Sequence, residues 1–161
     1  MAIDRQRGKL DILYLAVSEP TAATDPNDAA YTRIGLLQDL GDEFTNETDT
    51  TADRDTGTHE DAVTTTQSSG VDITCNVQKS DGGTVREDIG QRSVRDAALA
   101  QTEVWWLINP EDDQGSTIAG LEGVHSNGFV ESFSYTRNQG DFKQFEASLI
   151  NRSAPSFFTT T

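Results

Sequence analysis

The chain has 161 residues, one cysteine and a formal net charge of −15, from 27 acids against 12 bases. That length suits one domain that can bury a core without staples. The lone Cys75 excludes an internal disulfide framework. The negative charge excludes tight binding of a polyanion such as DNA. Only Lys9, Lys79 and Lys143 are lysines. An acidic, lysine-poor, Thr-rich composition matches proteins of salt-loving microbes, whose surfaces stay hydrated while salt screens their self-repulsion.

Residues 1–9 read as a polar N-terminal arm. Arg5, Arg7 and Lys9 ahead of ILYLAV imitate a secretory signal, but Asp11 breaks the apolar run. Leu10 to Val17 reads instead as a strand apolar on both faces, as strands covered on both sides do. No stretch approaches the roughly 20 apolar residues of a membrane span. Pro20 and Asp25-Pro26-Asn27 mark a loop over 19–30. Tyr31 to Leu40 predicts a strand broken at Gly35. From Gly41 to Asp61 eight acids face one base, Arg54, and Phe44 is the one large apolar side chain. Such a segment builds no core of its own, and it predicts a long acidic loop over 41–66. Ala62 to Ser69 is either a polar strand or the return arm of that loop.

Val71, Ile73, Cys75 and Val77 alternate with polar residues, which predicts a strand over 71–79 with one buried face. Asp81-Gly82-Gly83 is a turn. Asp88 to Thr102 predicts the one helix, with Asp88 and Gln91 as a capping box and Val94, Ala97, Ala98 and Gln101 along one side. Val104 to Ile108 is a strand stopped by Asn109-Pro110, with Trp105 and Trp106 on opposite faces. Glu111 to Gly115 is an acidic turn, and Thr117 to His125 a further strand. Gly128 to Ile150 predicts a long hairpin around Asn138-Gln139-Gly140. Phe129, Phe133 and Tyr135 share one face of its first strand; Phe145, Ala147 and Leu149 share one face of the second. Residues 152–161 form a polar tail carrying Phe157 and Phe158. Seven or eight strands and one helix favour a mainly-β domain over 10–151, a sandwich or partly closed barrel with the helix on its flank.

Residue types for catalysis do not assemble. Cys75 lies mid-strand on an apolar face, His59 and His125 belong to no nucleophile–base motif, and no G-x-S-x-G turn occurs. Two histidines and one cysteine give no zinc spacing. Asp49, Asp53, Asp55 and Gly57 resemble a calcium loop but miss the EF-hand glycine by one place. The chain is therefore expected to have no catalytic residues, no metal site and no cofactor.

The order of elements carries a resemblance. A polar arm and an apolar strand precede YTRIGLLQDLGDEF and a polar loop. The strand VDITCNV, a helix with RSVRDAALAQ, the strand VWWLI and the pair GFVESFSYTRNQGDFKQFEASLI follow. From Leu10 to Asn151 this resembles the major tail tube protein of long-tailed, siphovirus-type viruses, here suited to a halophilic archaeal host. The resemblance implies hexameric rings stacked into a hollow tail tube that passes DNA without holding it. Long hairpins would line the lumen. The partners implied are other copies of the chain and other tail proteins (tape measure, terminator, baseplate), with no membrane. The location implied is the virion tail, assembled in the host cytoplasm. Phe44, Asp49, Asp53, Arg54, Asp55 and His59 in the acidic loop, and Phe157 and Phe158 in the tail, are the expected interface residues. Two alternatives stay open: a secreted calcium- or carbohydrate-binding β-sandwich of a halophile, and a single-ring tail terminator or baseplate component.

Overall fold

The computed structural model describes residues 11–35, 37–51, 61–79, 85–86, 89–112, 114–136 and 144–161, with backbone alone at 38, 48–51, 61–66, 78–79, 85–86 and 89. The N-terminal arm, the turns at 81–83 and 138–140, and Asp88 lie outside the described residues. The elements run β1 (Asp11–Ala16), β2 (Thr32–Arg33), β3 (Leu37–Thr51), β4 (Asp61–Asn76), β5 (Gln78–Lys79) and β6 (Val85–Arg86). Then come α1 (Ile89–Ala100), β7 (Glu103–Pro110), β8 (Glu122–Thr136), β9 (Gln144–Asn151) and β10 (Ser156–Thr159).

One eight-stranded antiparallel sheet holds the chain together, in the order β2-β1-β7-β8-β9-β4-β3, with β10 also paired to β8. β7 takes one side of β8 at 124–129. On the other side β9 takes 128–136 and β10 takes 122–125. The sheet is open, yet its end strands β2 and β3 follow one another in sequence. From Arg33 to Leu37 the chain spans at most about 14 Å, so the sheet curls until its ends nearly meet. Of the expected sandwich and partly closed barrel, the second describes it.

The concave side is the core. β1 gives Leu13 and Leu15, β7 gives Val104, Trp106 and Ile108, β9 gives Phe145, Ala147 and Leu149, and β4 gives Val71, Ile73 and Cys75. Ile34 on the crossing segment, and Val94 and Ala97 on α1, fill the remaining side. The predicted capping box rests on Asp88, outside the described residues, but Gln91 has a further role. Gln91 is fully buried, and its Nε2 donates to Gly35 O and to Asn76 O, both at 3.1 Å. It thereby ties the crossing segment to the end of β4. Gln101 does not extend the helix face. At φ 54° it ends the helix, with Thr102 N–H bonded to Ala97 O and Gln101 N–H to Ala98 O, a Schellman stop.

Three further expectations are corrected. The acidic loop over 41–66 is largely strand: β3 and β4 pair from Leu37↔Cys75 to Thr51↔Asp61. Its composition builds no core, but a solvated ribbon needs none, and Thr-rich alternation suits extended backbone. Second, the register of β8 shifts between Val130 and Ser132. A bulge of this kind reverses alternation, so Val130 joins Phe133 and Tyr135 against the core while Phe129 turns outward, 39% exposed. Third, β8 begins at Glu122 rather than Thr117, because positive φ at Gly115 and Gly120 belongs to turns.

The tail is also a strand. β10 pairs Phe157 with Val124 and Phe158 with Gly123. A Cβ on Gly123 would lie 2.4 Å from the Phe158 ring, so glycine there makes room for it. Thr160 is buried and bonds through Oγ1 to Ile118 O and Leu121 O.

Candidate functional site

Four strands, β8-β9-β4-β3, form a separate face. Their registers line residues up in rows across all four. Tyr135-Phe145-Cys75-Leu37 and Phe133-Ala147-Ile73-Leu40 point into the core. The rows between them point away from it. Ser134-Glu146-Thr74-Asp39 and Ser132-Ser148-Asp72-Gly41 are polar throughout, and Phe129-Ile150-Gly70-Glu43 adds two half-exposed apolar side chains. None of 37–51, 61–76, 122–136 or 144–151 contains Lys or Arg. Apart from Phe129, Ile150 and the glycines, the outer face is therefore acids and hydroxyls, with Ser148 Oγ donating to Asp72 Oδ1 at 2.6 Å.

This face has two open edges. Among the described residues β3 takes no strand partner besides β4 over 37–51. β7 leaves β8 at Phe129, so on that side β8 takes no strand partner over 130–136 among the described residues. Unpaired edges of this length template further strands. The four strands alternate in direction. A β3 edge therefore meets the β8 edge of a second copy antiparallel, the same rule that holds inside the sheet.

β4 leaves β9 at Gly70. Beyond that point Phe44–Thr51 and Ser69–Asp61 pair only with each other, a ribbon about 27 Å long at about 3.4 Å per residue. An isolated two-stranded ribbon is marginal in water. Phe44, 52% exposed, sits at its root, and Asp49 lies on its backbone opposite Val63. Asp53, Arg54, Asp55 and His59 fall outside the described residues. Phe157 is 58% exposed. Phe158 is half-buried, its ring 6.0 Å from that of His125 within its own chain.

The other half of the sheet is covered on both sides. The segment 18–31 folds over Trp105 and His125, held by Asp28, which accepts from Ala22 N and Ala30 N, and by Tyr31 OH donating to Ala23 O. Those backbone donors lower the carboxyl pKa of Asp28. Burial, then the Asp28 charge, pushes Tyr31 up to about 12. Burial lowers His125. Trp106 is buried in the core, so the sugar-platform reading rests on Trp105, which lines a cavity of about 250 Å³ with Tyr31 and His125. The hydroxyls and amides there are already engaged: Ser153 Oγ donates to Asn127 Oδ1, and Asn127 Nδ2 to Glu103 Oε1. Among the described residues no three His, Cys, Asp or Glu side chains converge as a metal centre.

No family model matches the sequence, and no curated protein matches it. Solved structures do. A chain in the tail of an empty gene transfer agent particle, refined with C6 symmetry, is 14% identical, aligns over 96% of this chain and 99% of its own, and has a TM-score of 0.65. The SPP1 tail tube, determined by solid-state NMR and cryo-EM, is 12% identical over 96% of this chain and 78% of its own, with a TM-score of 0.62. A chain of the anti-feeding prophage baseplate is 6% identical over 98% and 97%, with a TM-score of 0.62. The fold is thus that of tail tube proteins: mainly β, with one open antiparallel sheet and one helix.

Proposed function

We propose that this chain is a structural virion protein that polymerises as stacked rings into a hollow tail tube and conducts DNA. The observation that carries the reading is the four-stranded acidic face bounded by two complementary open edges. Joining β3 of one copy to β8 of the next satisfies both edges and closes a ring. The C6 symmetry of the gene transfer agent tail supports a ring of six. At about 4.8 Å per strand, four strands from each of six chains make a wall about 115 Å round and about 37 Å across, before strand tilt widens it. Turned inward, the acidic rows repel phosphates, so DNA passes without the counterion release that would hold it. The ribbon beyond Gly70 reaches the next ring, and Phe157 docks on a neighbouring copy. The chain works as part of the virion tail, beside other tail proteins, with no catalysis. Its composition suits a virus of a halophilic host.

The likeness to a baseplate chain favours one alternative, a ring that does not stack, and assembly length separates the two. Edge joining is tested with Asp39→Cys paired in turn with Ser132→Cys, Ser134→Cys and Thr136→Cys. Cys75 is buried and does not compete. Oxidation of assembled protein should give a covalent ladder that ends at six chains for at least one pair. No ladder from any of the three would refute the β3–β8 junction.

A further inference from the structure

The corner after β7 holds a buried acid that ring assembly does not use. Glu111 is 3% exposed. Its Oε1 accepts from Tyr14 OH, and from Asn109 Nδ2 at 3.3 Å. Asn109 is 1% exposed and also donates Nδ2 to Thr117 Oγ1 at 2.9 Å. Both amide hydrogens are thus turned toward oxygen acceptors, which fixes the amide orientation. Two oxygens remain, Glu111 Oε2 and Asn109 Oδ1. Both are buried and accept no hydrogen bond among the described residues. Oxygens in that state are costly to bury. The pKa of the Tyr14 phenol is raised by burial first, then by the bond to Glu111 and by its charge, with Arg33 opposing. Asn109 and Thr117 also line a cavity of about 360 Å³ with Asp25, Asn27 and Thr160.

We propose that Glu111 Oε2 and Asn109 Oδ1 bind a monovalent hard cation, such as sodium. Carboxylate and amide oxygens are the donors such ions take, and one carboxylate supplies the one charge needed. Divalent sites draw on more carboxylates. The bound ion locks the junction of β1 and β7, where Asp11 pairs with Pro110, and so anchors the point from which residues 1–10 depart.

The test compares melting in sodium chloride and in tetramethylammonium chloride at equal ionic strength. Both salts screen the acidic surface alike, but tetramethylammonium, with its charge inside a shell of methyl groups, cannot be ligated by buried oxygens. Wild type should melt about 3–6 °C higher in sodium. Glu111→Gln should melt equally in the two salts. Asn109→Asp, which adds a second carboxylate, should show a larger sodium preference than wild type, an outcome that mere structural damage does not produce. Equal melting of wild type in both salts overturns the proposal. So does a wild-type-sized preference in Glu111→Gln, or an unchanged preference in Asn109→Asp. If Glu111→Gln fails to fold, the Asn109→Asp comparison decides.

Discussion

Removing the ribbon separates folding from assembly. Thr45 and Ser68 sit directly opposite one another, a spacing that a two-residue Asn-Gly turn closes. Replacing residues 46–67 with that turn deletes six acids and one base and leaves every core residue in place. Of the deleted side chains that the structure describes, Asn46, Glu47 and Gln67 are all exposed, so their loss removes no burial. Shortening the connection changes loop entropy by about 2 kcal/mol at most, in the stabilising direction. The melting temperature should therefore move by no more than about 8 °C. Circular dichroism should keep the strand signal, while light scattering and sedimentation should show rings or monomers in place of long polymers. Full-length tubes from the truncated protein would refute the inter-ring role. A fall of more than about 10 °C would refute the premise that the ribbon is external to the core.

Further outcomes follow from single residues. A Cβ at Gly128 would lie 1.8 Å from Ile150 O, against nothing within 4 Å at Gly41. Gly128→Ala should cost about 3 kcal/mol or more in urea unfolding through overpacking, while Gly41→Ala stays within about 0.5 kcal/mol; equal effects would contradict the register. Gln91→Leu removes the amide bonded to two part-buried carbonyls and should cost about 1–3 kcal/mol, with hydrogen exchange accelerating at the start of β3 and the end of β4. Burial holds the folded-state pKa of His125 below its ordinary 6.5. Between those two values the unfolded chain binds the extra proton, so stability is full above pH 6.5 and declines as pH falls through the window. His125→Asn should flatten that slope in melting scans; an unchanged slope would assign it elsewhere.

Much of the fold was legible because it rests on alternation. Val71, Ile73 and Cys75, and Phe145, Ala147 and Leu149, face the core as the period of two requires. Trp105 and Trp106 split between faces for the same reason. What stayed hidden was non-local. Nothing near Glu131 announces the bulge that turns Phe129 outward and Val130 inward. The segment 41–66 reads as loop because its strands bury nothing, and its pairing is visible only against its mate. The tie made by Gln91 was hidden because its partners, Gly35 and Asn76, lie 56 and 15 residues away. The acidic face was missed as a unit because Asp39, Asp72 and Glu146 come from three strands. The signal that pointed to it was the polar alternation of Asp72 and Thr74. Gly70 and Gly128 carried a second signal, since glycine inside a strand marks close backbone approach; here both lie against the end of β9.

Negative-stain electron microscopy of the purified chain in molar salt, where screening removes the repulsion between acidic copies, tests the central claim most directly. The account predicts tubes of stacked rings with a central hole, and six subunits in end-on views. A strict monomer at high concentration across all salts, with both sheet edges open, would contradict it.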